Sequence, residues 1–113
     1  MVKNMNKNQS IINRNKREYL DQTKKIHEDV VAINIGNTKA HEDKKWEVAQ
    51  ELMREGHTIV TEAVLKNNKG RCDILVISTE TPIAYEIIKS ETEESIEAKR
   101  KKYWPIHIKI IKA

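Results

Sequence analysis

Apolar residues recur along this chain with two different periods. Ile12, Tyr19, Ile26 and Ile33 return every seventh residue, with Val30 beside them, which predicts one amphipathic helix closed by Gly36. Residues 40–55 put Trp46, Val48, Ala49, Leu52 and Met53 on one helical face and stop at Gly56, so a second helix is expected there. From that glycine onward the period falls to two. His57–Leu65 reads as a strand and Lys66-Asn67-Asn68-Lys69-Gly70 as a turn; the apolar runs 71–78 and 83–90, joined by Thr79-Glu80-Thr81-Pro82, read as a hairpin. Ser90-Glu91-Thr92-Glu93 is a capping box opening a further helix, whose acids Glu91, Glu93, Glu94 and Glu97 precede its bases Lys99 to Lys102 and which Pro105 ends. Ile106–Ile111 is the last strand. A meander followed by a crossover helix requires a mixed sheet covered on both sides, so the expected fold is α/β, in the order αβββαβ after an extra N-terminal helix. The boundary falls near Gly36, between a basic amphipathic segment (1–36) and a domain (37–113).

Composition adds limits rather than a function. With 113 residues, 38% hydrophobic and 34% charged, the chain builds one modest core under a highly charged surface. The apolar runs are too short to span a bilayer and the Asn/Lys-rich start lacks the apolar stretch of a secretion signal, so a cytoplasmic protein with no membrane partner is expected. Cys72 is the single cysteine and is expected to pack in the core on the strand face opposite Asp73. A net charge of +4 favours polyanionic partners, although a mixed Lys/Glu surface suits a thermophile's protein equally. Aromatic residues are only 4% of the chain, and stacking on single-stranded bases is not evident.

Chemistry enters with two acids inside the hairpin. If Ser78 pairs with Ile83, Asp73 falls opposite Ile88 and Glu86 becomes its diagonal neighbour on the same face, roughly 7–8 Å away. Two carboxylates on one face of an Ile/Val-rich strand pair suggest a hard divalent cation with oxygen ligands, because burying an unpaired acid costs several kcal/mol.

The order of elements over 40–113, with Arg-Cys-Asp73-Ile-Leu-Val followed by Ala-Tyr-Glu86-Ile-Ile-Lys89, resembles the PD-(D/E)XK, restriction-endonuclease-like nucleases, among them archaeal Holliday-junction resolvases and RecB-type domains. That resemblance implies Mg²⁺- or Mn²⁺-dependent cleavage of DNA phosphodiesters, with Asp73 and Glu86 as metal ligands, a lysine acting on the attacking water, and often an acid from the first domain helix. A catalytically inactive DNA-binding or assembly module is the alternative, because the family's lysine sits two residues after the glutamate. Here that position is Ile88. Strand alternation turns Lys89 to the other face unless a bulge re-aims it.

Other residues could complete the site. Thr92, Ile96, Lys99 and Tyr103 form one stripe facing the sheet, so Lys99 either reaches the metal site or snorkels to water. Lys99-Arg-Lys-Lys-Tyr103 is similar to the Gln-x-x-x-Tyr element of RecB-type domains. Glu42, His41 and Lys45 fall on or beside the apolar stripe of their helix; Glu42 is a candidate third carboxylate or a first-turn charge, and His41 with Lys45 could bind phosphate. Glu62 is a further candidate metal ligand. Lys66, Lys69, Arg71, Arg100, Lys101 and Lys102 are candidate DNA contacts that carry no sequence information. Two copies acting on two strands would make a homodimer, with the N-terminal helix as its seam.

Overall fold

Alternating apolar residues in four short segments build one sheet. In the computed structural model, which describes residues 2–113, β1 (Ile59–Leu65), β2 (Gly70–Val76) and β3 (Ile83–Ile88) run antiparallel in sequence order, and β4 (His107–Lys112) adds to β3 in parallel. The helices are α1 (Val2–Tyr19), α2 (Lys39–Arg54) and α3 (Glu93–Tyr103), the last making the crossover between β3 and β4. This is the mixed α/β architecture that the periodicity predicts.

Each face of the sheet buries a different layer. Ile59, Ile74, Val76 and Ile87 pack with Ala49 and Leu52 of α2. On the other face, Val60, Ala63, Cys72, Leu75, Ala84 and Ile108 pack with Ile12 of α1 and Tyr103 of α3. Fully burying one such Ile or Leu contributes about 2–3 kcal/mol, so both layers are needed to hold a chain of this length. The β1–β2 hairpin turns on Asn67 and Asn68, both left-handed (φ 59° and 56°), with Lys69 N–H bonded to Lys66 O at 3.2 Å. That is the type I′ geometry whose twist matches the flanking strands.

The first helix is shorter than the heptad pattern predicts, ending at Tyr19 and not at Gly36. Asp21 accepts from both the backbone and the hydroxyl of Thr23 (2.9 and 2.7 Å), a local alternative to helical bonding. The β-branched run that follows is then drawn along the edge of β1: Asp29 N–H bonds to Ile59 O (2.8 Å) and Ala32 N–H to Thr61 Oγ1 (2.8 Å). Of the heptad residues Ile12 is buried, Tyr19 and Ile26 pack against the same core, and Ile33 stands in solvent. The α1 stripe therefore braces its own chain. Its buried Asn15 donates to the carbonyls of Ile77 and Thr79 (3.0 and 2.8 Å).

That anchoring changes the hairpin register. Val76, not Ser78, pairs with Ile83, because Asn15 takes the Ile77 and Thr79 carbonyls while Ile77 N–H bonds to Thr58 O. The slip is two residues, which keeps the parity of the paired stretch, but alternation breaks at Asp73, where Cys72 and Ile74, two apart, lie in opposite layers. Two smaller corrections concern helix ends and faces. Thr92 caps α3, in place of Ser90, by accepting from Ser95 N–H (3.1 Å), and Trp46 of α2 is exposed while Lys45 occupies the buried position.

Candidate active site

The ladders open where the acids sit. Extending the Ile74–Tyr85 pairing by one step brings Asp73 level with Glu86, and on the other side Glu62 lies between the Thr61–Ile74 and Ala63–Cys72 pairs, also level with Asp73. Glu62 is left-handed there (φ 50°), a conformation that costs a non-glycine residue about 1 kcal/mol or more in mid-strand. Asp73 Oδ2 accepts Ile87 N–H at 2.8 Å, so a carboxylate takes the bond that a β2 carbonyl would otherwise accept. Three acids from three strands thus share one level of the sheet, and β2 and β3 part around Asp73.

Glu86 is the most constrained of them. It is 4% exposed, and its Oε1 has no hydrogen-bond partner. Burial, then the neighbouring Asp73 charge, pushes its carboxyl up to about 7, while the Lys99 ammonium pulls the other way. Tyr103 stands on the same side: its hydroxyl donates to Arg71 O at 3.1 Å, and burial beside Glu86 holds its proton more tightly than usual. Burial and the charges of Glu86 and Asp73 also raise the Cys72 thiol, which packs in the core as expected. Gly70 supports this corner, where a Cβ would meet the Tyr103 hydroxyl at 3.5 Å with φ at +117°.

The first turn of α2 closes the site from the opposite face. Thr38 caps it by accepting from His41 N–H (3.2 Å), which fixes the aim of His41, Glu42 and Lys45. Glu42 accepts from Asn34 N–H (2.7 Å), Asn37 Nδ2 (3.1 Å), Lys45 Nζ (2.9 Å) and His41 Nδ1 (3.1 Å). Burial alone would raise its carboxyl, but these bonds prevail and hold it down at about 2. His41 Nε2 lies 3.4 Å from Asp73 Oδ1. Lys45, 1% exposed, sits between Glu42 and Glu62 (Nζ to Glu62 Oε2 3.4 Å), and Asn34 Nδ2 donates to Glu62 Oε1 at 2.9 Å. A continuous polar chain therefore runs Asp73–His41–Glu42–Lys45–Glu62.

The remaining predicted residues are more scattered. Lys89 lies just past β3, exposed, and lines a small groove with Asn37 and His41; the β3–β4 ladder is unbroken from Ile83 to Ile88, so no bulge turns Lys89 toward Glu86. Lys99 Nζ is 3.1 Å from Glu91 and its charge is felt at Glu86. Arg71 reaches Glu62 at 4.0 Å. Lys66, Lys69 and Arg100 donate to the carbonyls of Arg17, Trp104 (2.8 Å) and Ile108 (3.0 Å), while Lys101 and Lys102 stand in solvent. Asn34 is the participant that sequence reasoning missed. It lay in the segment read as the end of the first helix, and nothing in the spacing marks it.

The donor set can be tested against a metal. Among the described residues no three His, Cys, Asp or Glu side chains converge as a complete metal cage. Magnesium does not need one, since it keeps several waters and binds through one or two carboxylates together with substrate phosphates. Asp73 and Glu86, level with each other and with one carboxylate oxygen unpartnered, fit such an ion. Glu62 already holds the Lys45 ammonium and the Asn34 amide, and the Lys45 charge competes with an ion for it.

Residues 37–111 match the model of the competence protein CoiA nuclease-like domain, and the chain belongs to that family. No curated protein and no solved structure matches it. Among the described residues no helix is long and apolar enough to cross a membrane.

Proposed function

We propose that this protein is a metal-dependent DNA endonuclease of the PD-(D/E)XK type, hydrolysing phosphodiesters with Mg²⁺ or Mn²⁺ held by Asp73 and Glu86. One observation carries this reading: a buried glutamate oxygen without a partner, beside a second carboxylate, in a chain of a nuclease-like family. The ion would polarise the scissile phosphate and lower the pKa of the attacking water.

This chain's own side chains would do the rest. His41, steered by Glu42, would hold Asp73 in place through Oδ1 while Ile87 N–H holds Oδ2, each oxygen keeping a further lone pair for the ion. Lys99 would supply positive charge on the α3 side of Glu86, offsetting charge that develops on the phosphate as the bond to the leaving oxygen breaks. Lys45 would keep Glu42 and Glu62 together, a positioning role one step removed from the reacting atoms. Lys101, Lys102 and Arg71 are exposed and would meet phosphates irrespective of sequence; Lys66, Lys69 and Arg100 would have to share bonds they already make. A second copy acting on the second strand would make the working unit a homodimer. A second reading, an inactive DNA-binding relative, draws on the exposed Lys89, which leaves the face of Glu86 without a strand lysine.

Incubation with Mg²⁺ or Mn²⁺ and supercoiled plasmid, linear duplex, single strands or a four-way junction tests the proposal. Cleavage of at least one form by the wild type, abolished in Asp73→Ala, is the expected result. Binding without cleavage of any form would move the assignment to the inactive module.

A further inference from the structure

The two tryptophans stand in opposite surroundings. Trp46 is 53% exposed among Asp43, Glu47 and Glu51, which with only Arg54 against them would repel a phosphate chain. Trp104 is 71% exposed at the end of α3 and borders a groove of about 400 Å³ with Arg100, Lys101 and Glu97. Lys69 donates to the Trp104 carbonyl at 2.8 Å, while Lys102 Nζ lies beside Gly70 and the Tyr103 hydroxyl. Two cations and one acid thus border an indole that stands largely in solvent, with Lys69 on its backbone carbonyl.

The backbone under that indole is held firmly. Tyr103, the preceding residue, is buried, with its hydroxyl on Arg71 O, and Ile106 N–H bonds back to Tyr103 O at 2.9 Å. An aromatic plane on a fixed backbone, bordered by Arg100 and Lys101, suits an unpaired nucleobase: the base stacks on the indole and a flanking phosphate meets Lys101. Bases inside a duplex are already stacked on each other and cannot use such a plane.

Building on the nuclease reading, we propose that Trp104 is a stacking platform for an unpaired DNA base, with Lys101 on an adjoining phosphate. The substrate class is then DNA with a single-stranded portion, such as a flap, gap or frayed end. The platform is one residue from Tyr103, whose hydroxyl bonds to Arg71 O on β2, the strand that carries Asp73.

Trp46→Phe leaves Trp104 as the sole tryptophan and gives a direct optical test in EDTA, where no cleavage occurs. Oligothymidylate of about 12 nucleotides should quench its emission and a blunt hairpin duplex should not. In the wild-type background, Trp104→Ala should weaken oligothymidylate binding about tenfold or more with duplex affinity unchanged, and Trp104→Phe should restore most of it. Emission unmoved when a labelled oligomer's anisotropy shows saturation, or unchanged affinity in Trp104→Ala, overturns the proposal. So does emission that shifts on protein dilution alone, which would put a second copy over Trp104, and so does tighter stacking on RNA than on DNA. A protein that cleaves plasmid yet shows no quenching keeps the nuclease reading and loses this one.

Discussion

Without metal, the protein should lose stability as pH rises from about 5 to 7.5, because Glu86 titrates in that window. Its carboxyl lies near 4.5 when unfolded and about 7 when folded, pushed up by burial and by Asp73. Between those values the folded chain keeps a proton that the unfolded chain has released. The folded state binds more protons there, so stability is fully present below the unfolded value and lost as pH climbs through the folded one. At about 1.4 kcal/mol per pH unit, the whole shift corresponds to about 3 kcal/mol, or about 10 °C in Tm for a domain of this length. Glu42 does not mask the effect. Its carboxyl is held at about 2, so its contribution is complete above 4.5 and disappears only in stronger acid. Urea unfolding in EDTA at intervals across the window gives the slope directly. Glu86→Gln, neutral and close in shape, should abolish it, and saturating Mn²⁺ should flatten it by stabilising the ionised form. A wild-type profile flat across the window, or an equal slope in Glu86→Gln, would refute the argument.

Three further outcomes follow from particular contacts. Lys45→Met leaves Glu42 and Glu62 facing each other inside the protein and should cost about 3–5 kcal/mol by denaturant unfolding, whereas Lys39→Ala, which breaks an exposed pair with Asp43, should cost under about 1 kcal/mol. Cleavage, normalised to DNA affinity, should suffer at least as much from Lys99→Ala as from Lys89→Ala, since Lys99 acts on Glu86 and Lys89 points away; loss confined to Lys89→Ala would contradict this. Asn15→Ala strips two carbonyls of their partner and should destabilise by about 1–3 kcal/mol, with hydrogen exchange rising first in residues 77–82.

The fold was readable because each element announces its period. The expected diagonal placement of Asp73 and Glu86 gives way to a level one: the two-residue slip sets them side by side, and the alternation itself breaks at Asp73, between Cys72 in one layer and Ile74 in the other. The slip itself could not be seen: it depends on Asn15, distant in sequence, taking two hairpin carbonyls. The first helix was overextended for a related reason, because the heptad spacing of Ile26 and Ile33 carries no information about the edge of β1, which needed covering. The charged residues in the apolar stripe of α2 were the informative anomaly. His41, Glu42 and Lys45 sit on that stripe because they meet Asp73 and Glu62, and Trp46 gives up the inner position that Lys45 takes. No pattern signals Asn34, which acts through its backbone as much as its side chain, or the left-handed turn at Glu62.

The central claim is that Asp73 and Glu86 share one divalent cation, and calorimetric titration of Mn²⁺ into the folded, metal-free protein at about pH 7.5 tests it most directly. One site is predicted for the wild type, lost in both Asp73→Ala and Glu86→Gln, with proton release on binding because Glu86 must ionise. Undiminished binding in either variant, or none in a wild type shown to be folded, would contradict it.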